Sequence, residues 1–222
     1  MRIGIIGAGY IGQGIARLAL RAGDEVMIGN SRGPETLFSV ATSLGCLAGT
    51  AEQVAAFGDV VLVAVPFRNI GALPAAALAG KVVLDPNNYY PQRDGQIAAL
   101  DERATTTSQM LAGALPGARV VKAFNAILAE DLGTDGRPAG TPGRRALPIA
   151  GDDARAKAQV AALQDRYGFD VVDAGGLAES WRFERAKPAY CRRLDSTALR
   201  AALAAAERDV ELPHHSWHAN DR

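Results

Sequence analysis

Histidine is almost missing from the chain: its three copies, His214, His215 and His218, all stand near the C-terminus. The body of the protein therefore offers no imidazole as a general acid, and no Ser–His or Cys–His nucleophile pair can be assembled there. Isolated in a tail, His215 and His218 make a poor metal site, and no metal is expected. Cysteine is equally sparse. Cys46 and Cys191 have neither metal-ligand nor redox spacing, so reduced thiols in a cytoplasmic protein are expected. Lysine is confined to Lys81, Lys122, Lys157 and Lys187; the other basic residues are arginine. No charge dominates, with 24 basic residues against 24 acidic, which gives no reason to expect nucleic acid or an anionic membrane as partner. The longest apolar run, about Val60 to Phe67, falls far short of the ~20 residues that span a bilayer. The apolar N-terminus is interrupted by glycines, Arg17 and Arg21, unlike a signal peptide.

What is present is concentrated first at the N-terminus. Ile3 to Ile6 has the length of a strand and runs directly into Gly7-x-Gly9-x-x-Gly12. Helical periodicity then places Ile11, Ile15, Leu18 and Ala22 on one face. Strand, glycines and helix in that order form a dinucleotide fingerprint. Gly7 allows the turn, Gly9 the approach of a pyrophosphate, and Gly12 close packing of helix on strand. The helix N-terminus then faces the phosphates. About 20 residues further on, where an NAD site usually places an acid, Asp24 to Gly29 reads as a second strand and ends in Asn30-Ser31-Arg32. A hydroxyl beside a guanidinium, with no acid to repel a dianion, suits a 2′-phosphate. NADP(H) is expected over NAD.

The rest of the chain alternates. A helix over 35–44 leads to a brief strand, 45–49, and Thr50 with Gln53 forms a capping box. Strand 59–66 is continuously apolar after Asp59, as in a parallel strand covered on both faces. Helical residues 68–78 break at Pro74, strand 80–85 ends in a Pro86-Asn87-Asn88 turn, helix 105–115 is capped by threonine, and 118–125 is a sixth strand. The expected fold is α/β, a doubly wound parallel Rossmann sheet with a small C-terminal α/β extension. Residues 1–131 would form the NADP-binding domain and a Gly-Pro loop would cover 133–143. The extension would span 144–210, with strand 146–150, a helix from Asp152 to Tyr167 capped by Asp152, strand 169–173, a loop 174–190 and a helix 196–209. Residues 211–222 read as a tail.

The chemistry follows from what is absent. Reducing a carbonyl or imine usually requires a placed proton donor. Hydride exchange between two conjugated rings requires stacking, and positioning alone can contribute roughly 7–11 kcal/mol. The carboxyl ends of the strands carry Val65-Pro66-Phe67, Asn87-Asn88-Tyr89 and Phe124-Asn125. Phe67, Tyr89 and Phe124 can either stack on a ring or fill the core; Asn88 and Asn125 can hydrogen-bond a carboxamide or ring carbonyl. Lys122 is a weak catalytic candidate that could equally face solvent. The stretch Trp181 to Lys187, with Arg192 and Arg193, could receive the phosphate tail of a second cofactor or form a solvated loop.

Taken together, Gly7 to Gly12, Gly29-Asn30-Ser31-Arg32-Gly33-Pro34, the Pro86-Asn87-Asn88 turn and Val121-Lys122-Ala123-Phe124-Asn125 resemble the F420-dependent NADP oxidoreductase family, over most of the chain. The resemblance implies an NADPH-binding Rossmann domain, typically dimeric, that passes hydride between NADP(H) and the deazaflavin F420. Membrane ferric reductases carry a similar domain that uses flavin, so FMN or FAD are further acceptors to consider. It also implies that Ser31 and Arg32 hold the 2′-phosphate, Tyr10 and Ile11 the pyrophosphate, and Val65, Pro66 and Asn125 the nicotinamide side. Tyr89-Tyr90-Pro91-Gln92-Arg93 and the loop ending in Arg144-Arg145 look like a bacterial subgroup. Two other readings remain: an NADPH sensor without turnover, and an imine or carbonyl reductase of the β-hydroxyacid dehydrogenase or pyrroline-carboxylate reductase type. The latter needs a longer helical C-terminal domain.

Overall fold

The computed structural model describes residues 1–213; the three histidines, and any metal they could hold, lie outside the described residues. The chain runs β1 (Arg2–Ile6), α1 (Tyr10–Arg21), β2 (Glu25–Gly29), a 3₁₀ turn (Pro34–Leu37), α2 (Phe38–Leu44), β3 (Leu47–Ala48), α3 (Ala51–Phe57) and β4 (Val60–Val63). A 3₁₀ helix (Phe67–Ala72), α4 (Ala75–Leu78), β5 (Val82–Asp85), the short helices α5 (Pro91–Asp94) and α6 (Ala98–Asp101), α7 (Thr107–Ala114) and β6 (Arg119–Lys122) complete the first part. The second adds β7 (Ala146–Gly151), α8 (Ala154–Arg166), β8 (Asp170–Asp173), a 3₁₀ helix (Leu177–Phe183) and α9 (Ser196–Ala204).

One eight-stranded sheet has the order β3-β2-β1-β4-β5-β6-β7-β8. All pairs are parallel except β6 with β7, where Val121 faces Gly151 and Lys122 faces Ala150. Residues 144–210 thus continue the same sheet. β4 shows why the fold is two-sided: its period of two sends Val60 and Leu62 into the core cluster beneath α1 and α8, and Val61 and Val63 into the cluster beneath α3 and α7. The chain passes to opposite sides of β1 through β2 and β4. That reversal opens a crevice at the carboxyl ends of the strands, where ligands of such sheets bind.

Local signals decide several boundaries. Thr50 and Gln53 bond reciprocally at the start of α3, at 3.2 and 2.9 Å, and Thr106 with Gln109 does the same for α7. The expected cap of α8 is displaced by one residue. Asp153 accepts the Ala156 N–H at 2.7 Å, and Asp152 instead accepts the Leu177 N–H at 2.8 Å, which fixes the 3₁₀ helix inside the expected loop. α9 stops at Ala204 rather than Asp209, because Lys187 Nζ donates to the carbonyls of Glu207, Arg208 and Val210 and holds that backbone out of the helix. Buried Arg144 and Arg145 anchor the Gly-Pro loop, through Asp165 and Asp170 and through Asp131 and Asp135 respectively.

Candidate active site

The glycine turn can be tested position by position. Gly7 has φ +122°, and a Cβ there would overlap the Ala64 carbonyl; at Gly12 a Cβ would overlap the Gly7 carbonyl. Both glycines are required by the fold itself. At Gly9 a Cβ would meet nothing within 4 Å. Gly9 also N-caps α1 with no side-chain cap and no acid in the first turn. Free N–H groups at the positive end of the helix therefore look onto open space, which is the environment a pyrophosphate requires. These residues fit a dinucleotide.

Two adjoining cavities extend from that point and share Gly9, Ala64, Val65 and Pro66. The larger, about 640 Å³, is closed by Asn30, Ser31 and Arg32 at one end and by Asn69 and Leu73 along its wall. Asn30 shapes that end: its Oδ1 accepts the Arg32 N–H at 2.9 Å while its Nδ2 donates to Thr36 Oγ1 at 2.9 Å. Ser31 and Arg32 are exposed, and neither side chain has a hydrogen-bond partner or ion pair among the described residues. The smaller cavity, about 320 Å³, is lined by Tyr10, Ile11 and Gly12 on α1 and by Pro86, Asn87, Asn88, Tyr90 and Arg93 beyond β5. Tyr10 is 87% exposed at its mouth.

Several expected residues lie elsewhere. Phe67 and Phe124 are buried and line neither cavity; Phe124 packs with Tyr167, ring centroids 6.3 Å apart, beneath the sheet. Both are packing residues in this structure. Tyr89 turns away, its hydroxyl held by Gly95 O, Asp101 and the Ile97 N–H, so that Tyr90 takes the place beside the cavity. Asn125 is buried just behind: its Nδ2 donates to Asn88 Oδ1 at 3.2 Å and to Phe183 O at 2.8 Å, and Asn88 Nδ2 donates to Asn125 O at 3.0 Å. Asn125 therefore orients Asn88, the amide that lines the cavity. Phe124 reaches this arrangement with φ +60°, a strained value for a non-glycine residue.

Lys122 points neither to solvent nor to a cavity. It is fully buried, and its Nζ donates to Asn87 O at 2.9 Å and Thr107 Oγ1 at 2.8 Å, which ties down the turn carrying Asn88. The basic stretch near Trp181 is likewise largely committed. Arg182 pairs with Glu179, Lys187 spends its donors on carbonyls, and Arg193 pairs with Asp135.

Tyr90 and Arg93 were not singled out as site residues from the sequence. Their local signal is the Tyr-Pro-Gln-Arg-Asp run, in which proline starts α5 and brings Arg93 back over Tyr90. The Tyr90 hydroxyl lies 2.7 Å from that of Tyr190. Burial pushes the Tyr190 phenol up, and the neighbouring Cys191 thiol up to about 12. Both stay protonated at neutral pH.

A Rossmann sheet with an uncapped glycine turn, and no acid at the carboxyl end of its second strand, defines a dinucleotide-binding class of fold. Residues 2–89 match the family model of the coenzyme F420-dependent NADP oxidoreductases, and this part of the chain belongs to that family. It is 30% identical over 185 residues to the metalloreductase STEAP3 of Rattus norvegicus, covering 82% of this chain and 36% of the relative. The chain spans 36% to 52% of the length of the curated relatives it matches. Among solved structures, the hypothetical protein SMa0349 from Sinorhizobium meliloti is 32% identical with a TM-score of 0.75, covering 88% of this chain and 95% of that one. A proposed F420-dependent NADP-reductase from Arthrobacter sp. FB24 is 28% identical with a TM-score of 0.67, covering 81% and 87%. No helix among the described residues is long and apolar enough to cross a membrane.

Proposed function

We propose that this chain transfers hydride directly between NADPH and a flavin or deazaflavin ring (F420, FMN or FAD). The observation that carries the reading is the pair of cavities joined at Gly9, Ala64, Val65 and Pro66, one ending at Ser31 and Arg32 and the other open beside Asn88 and Tyr90. NADPH, when bound, supplies a hydride from its nicotinamide. The chain supplies the rest. Ser31 and Arg32 recognise the 2′-phosphate, beyond a strand whose carboxyl end carries no acid of its own. Gly9, Tyr10, Ile11 and Gly12 offer backbone N–H groups to the pyrophosphate. Val65 and Pro66 form the floor under the ring, and Asn88, oriented by Asn125, presents its amide to the carboxamide. Two flat rings held in contact need alignment more than proton transfer, in keeping with a site whose described residues include no histidine and no free lysine.

Stopped-flow mixing with FMN, FAD and F420 in turn, followed at the absorbance of NADPH, tests the reading. Oxidation of NADPH by at least one of the three, with saturable dependence on the acceptor, is expected. Tight NADPH binding with no oxidation by any of them would leave a sensor domain instead.

A further inference from the structure

We infer that Arg93 binds the electron-rich N–C=O edge of the ring acceptor and holds the negative charge that arrives there with the hydride. The inference rests on the ring-acceptor reading above and names the chemical feature that the acceptor must carry.

Three observations converge on Arg93. First, its guanidinium is fixed before any ligand arrives. Nε donates to Asp94 Oδ1 at 3.0 Å, and Nη2 donates to Asp94 Oδ2 at 2.8 Å and to the Asn88 carbonyl at 2.9 Å. Its Cζ lies over the Tyr90 ring, 4.8 Å from the centroid. Such a fork loses little freedom when it binds. Second, the anchor is out of solvent while the guanidinium is not: the side chains are 0% exposed for Asp94 and 43% for Arg93. Burial alone would raise the Asp94 carboxyl, but the Arg93 hydrogen bonds and the Tyr90 N–H hold it below the usual carboxylate range. It is therefore a permanent anion at neutral pH. Third, Nη1 has no acceptor among the described residues, although Arg93 lines the ring-side cavity beside Asn88. A structural ion pair uses two of the guanidinium nitrogens and leaves the third, on a part-exposed side chain, free to take a ligand.

The chemistry calls for such a group. As the acceptor ring is reduced, a hydrogen nucleus and two electrons reach it from the reduced nicotinamide, where one C–H bond breaks. A new bond to hydrogen forms on the acceptor, and the nicotinamide is left oxidised. Until solvent delivers the balancing proton, the acceptor carries one extra negative charge, spread over its ring nitrogens and carbonyl oxygens. A preorganised cation at that edge is worth more as the charge grows than before it, so it accelerates the transfer rather than merely tightening binding. An uncharged acceptor without a conjugated N–C=O edge would gain nothing from Arg93.

The test compares wild type with Arg93→Met and Arg93→Lys. FMN fluorescence quenching without nucleotide reads acceptor binding, NADPH fluorescence reads cofactor binding, and single-turnover absorbance reads transfer. Both variants should bind NADPH within twofold of wild type. Arg93→Met should weaken FMN at least tenfold and slow transfer at least tenfold. Arg93→Lys, which keeps a cation beside Asp94 and so protects folding, should recover much of the FMN affinity but little of the rate, because it lacks the fork. Variants that bind FMN and turn over like wild type would overturn the assignment while leaving the ring-acceptor reading intact. A wild-type protein that neither binds nor reduces FMN, FAD or F420 would remove that reading, and this inference with it.

Discussion

Lys122 Nζ stands 3.5 Å from Asp85 Oδ2, and neither side chain has any exposed surface. Asp85 is satisfied further by Ser108 Oγ at 2.6 Å and by the backbone and amide N–H groups of Asn87. The pair joins the ends of β5 and β6 and fixes the Asn87-Asn88 turn from beneath. It thus serves the site without entering it.

Removing one partner strands a buried charge, so Lys122→Met should lower stability by roughly 3–5 kcal/mol. Urea unfolding followed by circular dichroism measures this. The folded fraction should still bind NADPH, since Lys122 lines neither cavity. Wild-type stability in the variant would refute the structural role.

Arg32 provides a different kind of prediction. Its guanidinium is exposed and spends no hydrogen bond on any of the described residues, so Arg32→Ala should leave stability unchanged. NADPH binding should weaken by about 2 kcal/mol, roughly thirtyfold, while NADH binding barely changes. Equal losses in fluorescence titrations with the two nucleotides would show that Arg32 does not read the phosphate.

The second and third glycines of the turn, Gly9 and Gly12, should separate cleanly. Gly9→Val adds a side chain where the protein has empty space, so the variant should melt like wild type yet fail to bind either nucleotide. Gly12→Val drives a side chain into the Gly7 carbonyl and should destabilise the fold before binding can be measured. Thermal melts beside titrations test both. Normal NADPH binding by Gly9→Val would refute a pyrophosphate at that position.

Acid stability should report the Arg93–Asp94 pair. The Asp94 carboxyl is depressed in the folded protein, so its contribution is fully present above the unfolded value of about 3.9 and is lost as pH falls through the folded value. Asp94→Asn removes that contribution at every pH. The gap in urea midpoint between wild type and variant should therefore be widest near pH 6 and narrow towards pH 3. A gap independent of pH would mean that the carboxylate is not stabilised by its partners.

Much of this was legible in the linear chain. Covalent spacing alone carries the glycine turn, the acid-free end of β2 and the apolar run of β4, because each is a local pattern whose physics acts within a few residues. The Thr50–Gln53 box is local in the same way. Side-chain direction at the strand ends was not legible. Tyr89 and Tyr90 are neighbours of equal promise in sequence, yet backbone direction gives one to Asp101 and Gly95 and the other to the cavity. Lys122 ends β6 and Phe124 and Asn125 follow it, and only packing against α7, Tyr167 and Phe183 decided that all three are buried. Arg93 acquired its meaning from a carboxylate next to it, a carbonyl five residues back and a tyrosine face. The sequence determined that a nucleotide would be held, since that depends on one turn and one helix end. Which side chains line the smaller cavity depends on contacts between residues far apart in the chain, and only the tertiary structure decided them.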